Sequence, residues 1–366
     1  MIEPEDFGLS EVETLSHVAE AAKSPRHGTV WKAWQAAVFT SSPRLVPRSP
    51  ADSDPSDPSA THQFESALSV RIGCGLMMPK RPLAGVVLLH GYEGVPPIAQ
   101  SIDDARELVE RGLAVLAIRV RGYPGSQVDT PRLAARTSTG GGGEWILDGL
   151  EEPAAEHGLG CAWVLAAAVA DAANACRTLR DHLARHGAGG STMAVAGTTG
   201  ATSIPVYLKG ESFGGGLAVL AAAALGEREA SPERMVLGLP SLGDWSWRLA
   251  RPEPTGGIGG LVRRFITDHR QREDEIVSLL RTFDAAVLAR RVRCPVLCKL
   301  ALRDDAVPAP AAAAVFNALG TDPGLKRRFV TRYGHFDGGI TDLRRHAEFE
   351  RLALRFLDPA ASPASE

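Results

Sequence analysis

Three residues able to carry acyl transfer stand in order along this sequence: Ser212 inside Gly210-Glu-Ser-Phe-Gly214, then Asp304, then His335. A serine hydroxyl is a weak nucleophile at neutral pH. It needs an imidazole to take its proton and a carboxylate to fix the imidazole tautomer. A G-x-S-x-G element between an apolar strand and an alanine-rich helix turns the chain sharply and projects the hydroxyl above a sheet. The small residues at its ends permit strained backbone, and Gly215 and Gly216 extend that freedom. The five residues alone would also fit any tight strand-to-helix turn. The downstream order Ser, Asp, His supplies a second test.

The acid lies in Ala301-Leu-Arg-Asp304-Asp305-Ala-Val-Pro308, at the carboxyl end of a strand, where active-site groups of open parallel sheets gather. Asp305 competes with Asp304, either would serve as a loop-capping aspartate, and acid–base logic does not separate them. The base is His335, in the glycine-flanked Thr331-Arg-Tyr-Gly-His335-Phe-Asp-Gly-Gly339. His90 ends the first strong strand and reads as structural. The loop it opens supplies one oxyanion N–H and the residue after the nucleophile the other, which nominates the backbone amides of Tyr92 and Phe213. Glu211 would perturb the base if it faced His335 and do nothing if it faced away, so no role is assigned to it. Arg121 offers five fixed donors suited to holding a loop.

The elements that must position these groups follow from periodicity. Short apolar runs at 85–89, 113–118, 204–208, 235–239 and 294–300 read as strands buried on both faces, with a further strand at 326–330. Helical patterns cover 98–111, 161–185, 213–225, 309–319 and 341–356. Alternating strands and helices imply an α/β fold, a mostly parallel doubly wound sheet with helices on both faces; with the serine element this is the α/β-hydrolase fold. The expected organisation is a helical arm at 1–40 containing Trp31 and Trp34, a Pro/Ser-rich linker at 41–63, a catalytic domain at 64–358 and a tail at 359–366. The Gly/Ala/Ser/Thr stretch at 186–203 reads as a surface insertion.

Composition narrows the function classes. In 366 residues, 40 basic and 43 acidic side chains leave a net charge of -3 with no long run of one sign, which gives no footprint for nucleic acid. Five cysteines at unrelated spacings suit neither a disulfide framework nor a zinc site, so buried free thiols are expected. The acidic start MIEPEDFGLSEVE is unlike a secretory signal and no apolar run is long enough to span a bilayer, so the expected location is cytoplasmic, without a membrane partner.

With VVLLHGYEG, RVRGYPGS, GEWILDGLEEP, GESFGGGLAVLAAAAL, LLRTFDAAVLARRVRCPVL, LRDDAVP and YGHFDGG in this order, the chain resembles the acetyl xylan esterase and cephalosporin C deacetylase family over roughly residues 64 to 357. The resemblance implies that Ser212, Asp304 and His335 form the triad, and it favours Asp304 over Asp305. It further implies hydrolysis of an acetyl or other short acyl ester of a sugar or small molecule, without metal or cofactor, often in a homo-oligomeric, hexameric ring. An acyltransferase using the same triad and a catalytically silent binding protein are the alternatives. Three family signatures differ at their last position, giving Arg121-Gly122-Tyr123, Ser212-Phe213 and His335-Phe336. An apolar lining of Tyr123, Phe336, Trp245 and Trp247 would favour a larger or more aromatic substrate, although the two tryptophans fit core packing equally well.

Overall fold

The apolar runs pair side by side into one sheet. In a computed structural model, which describes all residues except 1–6, 21–24, 41–42, 50–54, 129, 137–141, 153–158, 188–203, 227–229, 251–256, 305, 336–338 and 363–366, the strands are β1 Val46–Pro47, β2 His62–Glu65, β3 Arg71–Met77, β4 Ala84–Leu89, β5 Leu113–Ile118, β6 Val206–Glu211, β7 Met235–Gly238, β8 Val296–Arg303 and β9 Lys326–Tyr333. Their order is β1-β2-β3-β5-β4-β6-β7-β8-β9. From β5 to β9 every neighbouring pair is parallel, and β3, β2 and β1 extend that sheet antiparallel. A parallel strand between two helix layers needs apolar residues on both faces, and all six residues of β5, LAVLAI, are buried. This is the α/β-hydrolase architecture.

Helices cover both faces. Val164–Gly187 and Phe213–Leu225 pack over one face, and the core there is closed by alanines of both helices, whose small side chains let backbones approach. Gly339–Leu357 lies on the other, packing Phe349, Phe356 and Leu357 against Val236, Leu297 and Phe329. The expected 98–111 helix is two helices, Ile98–Asp104 and Arg106–Glu110, meeting at Ala105. Among the described residues no helix is long and apolar enough to cross a membrane.

The N-terminal arm is part of the core. Trp31 and Trp34 stack at 4.7 Å between ring centroids, both also touch Phe283, and the Trp34 indole N–H donates to the Ala166 carbonyl at 3.0 Å. Parts of the Pro/Ser-rich stretch 41–63 are also ordered by contacts: Val46 and Pro47 pair with β2, and the Asp57 carboxylate accepts the Ile98 N–H at 2.9 Å. That stretch has few large apolar side chains, so burial of Leu45 and Ala60 is joined by backbone pairing and a buried carboxylate in holding it. Of the 186–203 insertion, residues 188–203 lie outside the described residues.

Candidate active site

Ser212 follows β6 directly and precedes the helix Phe213–Leu225, with φ 54° and ψ -116°, a left-handed backbone that a non-glycine residue adopts only when its surroundings enforce it. The enforcement is visible. Its N–H donates to the Gly238 carbonyl at 2.7 Å, and its carbonyl accepts the Ser241 and Gly216 N–H groups, each at 3.1 Å. A Cβ at Gly210 would lie 2.3 Å from the Gly214 carbonyl oxygen, and one at Gly214 would lie 2.4 Å from that of Leu89. Both glycines are therefore steric requirements of the turn. The serine hydroxyl does not cap the helix it precedes.

Asp304, 2% exposed, lies just past the end of β8. Its Oδ1 accepts the N–H groups of Ala306 at 2.9 Å and Val307 at 2.8 Å, which anchors the carboxylate. His335 Nδ1 lies 2.8 Å from both of its oxygens. A carboxylate at this distance assigns the proton to Nδ1 and leaves the Nε2 lone pair as the basic site. His335 is 18% exposed and lines a cavity of about 440 Å³ that Glu211, the residue before Ser212, also lines. Asp305 and Phe336 lie outside the described residues.

The loop after β4 lies against the start of the Ser212 helix: a Cβ at Gly214 would also meet the His90 carbonyl oxygen at 2.7 Å. This brings the Tyr92 segment beside Phe213, whose N–H heads a helix and has no intrahelical acceptor. His90 is a neutral structural residue. Its Nδ1 donates to the Gly91 carbonyl at 2.7 Å and its Nε2 accepts the Val120 N–H at 3.2 Å, while burial, with the charge of Arg119, pushes its imidazole down to about 3. Arg121 is fully buried and holds Asp171 through Nε at 3.0 Å and Nη2 at 2.7 Å.

Two of the aromatic replacements, Phe213 and Tyr123, are spent on packing. Phe213 and Tyr123 are 0% and 1% exposed and share one cluster with His90, Tyr92 and Trp145. The Tyr123 hydroxyl donates to the Tyr92 carbonyl at 2.9 Å, bracing the loop after β4. Burial raises its hydroxyl well above the usual phenol range, so it stays protonated as a donor. Trp245 is fully buried, and Trp247 packs on Phe7 and His17 of the arm. Burial raises all five cysteine thiols, those of Cys161, Cys176 and Cys294 to about 12, which keeps them protonated.

The sequence reading missed Lys299, buried on β8, whose Nζ lies 2.6 Å from Glu211 Oε1 and 2.8 Å from His346 Nδ1. Glu211 keeps about half its side-chain surface in solvent; partial desolvation pushes its carboxyl up, but the Lys299 ammonium, with His346 and His335, leaves it below its ordinary value. The available signal was a lysine inside the otherwise apolar run Pro295-Val-Leu-Cys-Lys-Leu300.

A parallel sheet with a serine elbow at one strand's end and an Asp–His pair beyond two others defines an α/β-hydrolase. Residues 192–349 match the family model described as acetyl xylan esterase, and with that match the chain is a carboxylic ester hydrolase similar to acetyl xylan esterases. Acetyl xylan esterase 1 from a Thermoanaerobacterium species superposes with a TM-score of 0.64 at 19% identity, covering 93% of this chain and 98% of that one. The acetyl xylan esterase of a Paenibacillus species gives 0.61 at 19% identity, covering 94% and 99%. No curated protein matches the sequence.

Proposed function

We propose that the protein hydrolyses a carboxylic ester through a serine acyl-enzyme, with Ser212 as nucleophile, His335 as general base and then acid, and Asp304 orienting the imidazole. The observation that carries the reading is the His335–Asp304 pair, 2.8 Å from Nδ1 to each oxygen, combined with the strained backbone of Ser212 at the head of a helix. Ser212 Oγ attacks the ester carbonyl carbon as its proton passes to His335 Nε2. The Tyr92 and Phe213 N–H groups hold the oxyanion, and the imidazolium returns the proton to the departing alkoxide. Water then repeats the sequence on the acyl-serine. The substrate class is an acetyl or other short acyl ester. The match of residues 192–349 to the acetyl xylan esterase family model supports it.

A chromogenic acetate ester tests this. The expected result is a pre-steady-state burst equal to the enzyme concentration and its loss in Ser212→Ala with an unchanged circular dichroism spectrum. Undiminished hydrolysis by that variant would refute the reading. Esters of increasing acyl length, run beside acetylated sugars and with an added alcohol acceptor, then resolve acyl preference and separate hydrolysis from transfer.

A further inference from the structure

Beside His335 the sheet carries charged groups that the triad does not use. Glu211 on β6, Gly238 on β7 and Lys299 on β8 are in register across three adjacent strands, so they share one face of the sheet. Gly238 contributes no side chain, and a Cβ there would meet Glu211 Cγ at 2.9 Å. Two long side chains therefore meet over the glycine, Lys299 Nζ donating to Glu211 Oε1 at 2.6 Å. The same ammonium donates to His346 Nδ1 at 2.8 Å, which fixes a neutral imidazole with its proton on Nε2, and it lies 5.3 Å from the centroid of the Phe349 ring.

A buried ammonium demands a carboxylate. The one used is the chain neighbour of Ser212, and its carboxylate opens onto the cavity that His335 lines. We propose that Glu211 is a positioning residue for ester hydrolysis: its carboxylate stabilises the imidazolium that His335 becomes on taking the Ser212 proton, and Lys299 sets the strength of that pull by partial neutralisation. This rests on His335 being the base.

Among the described residues, the charged and titratable groups facing His335 include Asp304 from the loop after β8, Glu211 from β6, Lys299 from β8, Tyr333 from β9, and Asp342 and His346 from the helix Gly339–Leu357. Asp304 is committed to Nδ1. Glu211 and Lys299 are the pair whose removal changes the field at the imidazole in opposite directions, because the two charges are opposite and adjacent. The coupling is reciprocal, as linkage requires: a protonated His335 also favours the ionised form of Glu211.

The test is the pH dependence of kcat/KM with a chromogenic acetate ester. Without the carboxylate the imidazolium is less favoured, so in Glu211→Gln the acidic limb moves down by about half to one pH unit and kcat falls roughly three- to tenfold at little change in KM. In Lys299→Met the uncompensated carboxylate moves the limb up. Glu211→Asp keeps the charge and stays close to wild type, and because Glu211 is half-exposed this pair of variants reads the effect even if Lys299→Met fails to fold. A limb that is unmoved in Glu211→Gln, that moves up, or that moves equally in Glu211→Asp overturns the proposal. Ser212→Ala is run alongside: activity surviving there sinks the serine mechanism itself, whereas an inactive Ser212→Ala with an unmoved Glu211→Gln profile sinks only this inference.

Discussion

Gly334 leaves the space that Asp304 fills: a Cβ built on it would lie 2.1 Å from Asp304 Oδ2 and 3.0 Å from the Ala301 Cβ. The chain immediately before His335 thus runs so close to the carboxylate that only hydrogen fits, and this contact keeps both oxygens within 2.8 Å of Nδ1. In Gly334→Ala the backbone or the carboxylate must move. The expected result is a fall in kcat/KM of about a hundredfold, because small misplacements of a reacting group are that costly, with a stability loss of only ~1–3 kcal/mol. Steady-state kinetics beside urea denaturation check it. Full activity in a folded Gly334→Ala would mean that the Asp304–His335 contact does not matter.

Asp304→Asn separates the two adjacent carboxylates. The asparagine oxygen still accepts the Ala306 and Val307 N–H groups, so the loop survives. Its NH2, however, turns toward Nδ1 and forces the imidazole proton onto Nε2, where the serine proton has to go. A drop in kcat of about 10³- to 10⁴-fold is expected for Asp304→Asn and less than about tenfold for Asp305→Asn. The reverse ranking would transfer the role to Asp305.

Much of this arrangement is legible in the sequence because the signals are local. The central strands are apolar on both faces, and 113–118 matches β5 residue for residue. The elbow is legible because its glycines, strand and helix are contiguous, and the helix Phe213–Leu225 begins and ends where its pattern does. Asp304 and His335 sit in loops that directly follow readable strands. What escapes depends on distant partners. Lys299 meets a carboxylate 88 residues away, across a strand whose only contribution is a missing side chain, and no periodicity reports that. The order within 55–63 likewise depends on distant contacts such as the Asp57 bond to Ile98, 41 residues on, and the Ser59 bond to Ala99, where composition predicts a linker. Exposure also resists reading: Phe213 and Tyr123 are apolar replacements at the site, but whether they line it or pack behind it depends on Trp145, which buries both.

His90 gives the protein a pH-dependent stability with a definite sign. Its folded-state pKa is pushed down to about 3 by burial, with Arg119 adding to it, while an unfolded histidine titrates near ~6.5. The unfolded chain therefore takes this proton first. The stability is complete above about pH 6.5 and is lost as the pH falls from there toward 3, by up to ~1.4 kcal/mol per pH unit. Asp284 acts oppositely: burial raises its carboxyl from 3.8 to about 6, so the folded state takes that proton first and gains as the pH falls through this range. The His90→Gln variant keeps the second effect and removes the first. Its stability, measured by urea unfolding at pH 7.5, 6 and 5, should fall less on acidification than that of the wild type. Parallel curves would mean that His90 titrates normally.

The arm makes the last prediction. Trp34 has no exposed surface, stacks on Trp31, meets Phe283 edge-on at 5.6 Å and donates its indole N–H to the Ala166 carbonyl on the long helix 164–187. Truncating such a residue removes its transfer free energy, leaves a cavity and strands a partner, which costs about 3–5 kcal/mol. A detachable arm would behave differently: Trp34→Ala would then leave the main unfolding transition in place. Because Phe283 also packs against Trp163 and neighbours Asp284, which caps the helix Ala285–Leu288 and holds the Trp245 N–H, the loss should spread through the domain. The expected outcome is one cooperative transition moved to lower urea, with tryptophan fluorescence and far-ultraviolet circular dichroism coinciding. Two separated transitions, or an unchanged midpoint, would show the arm folding apart from the sheet that carries Ser212.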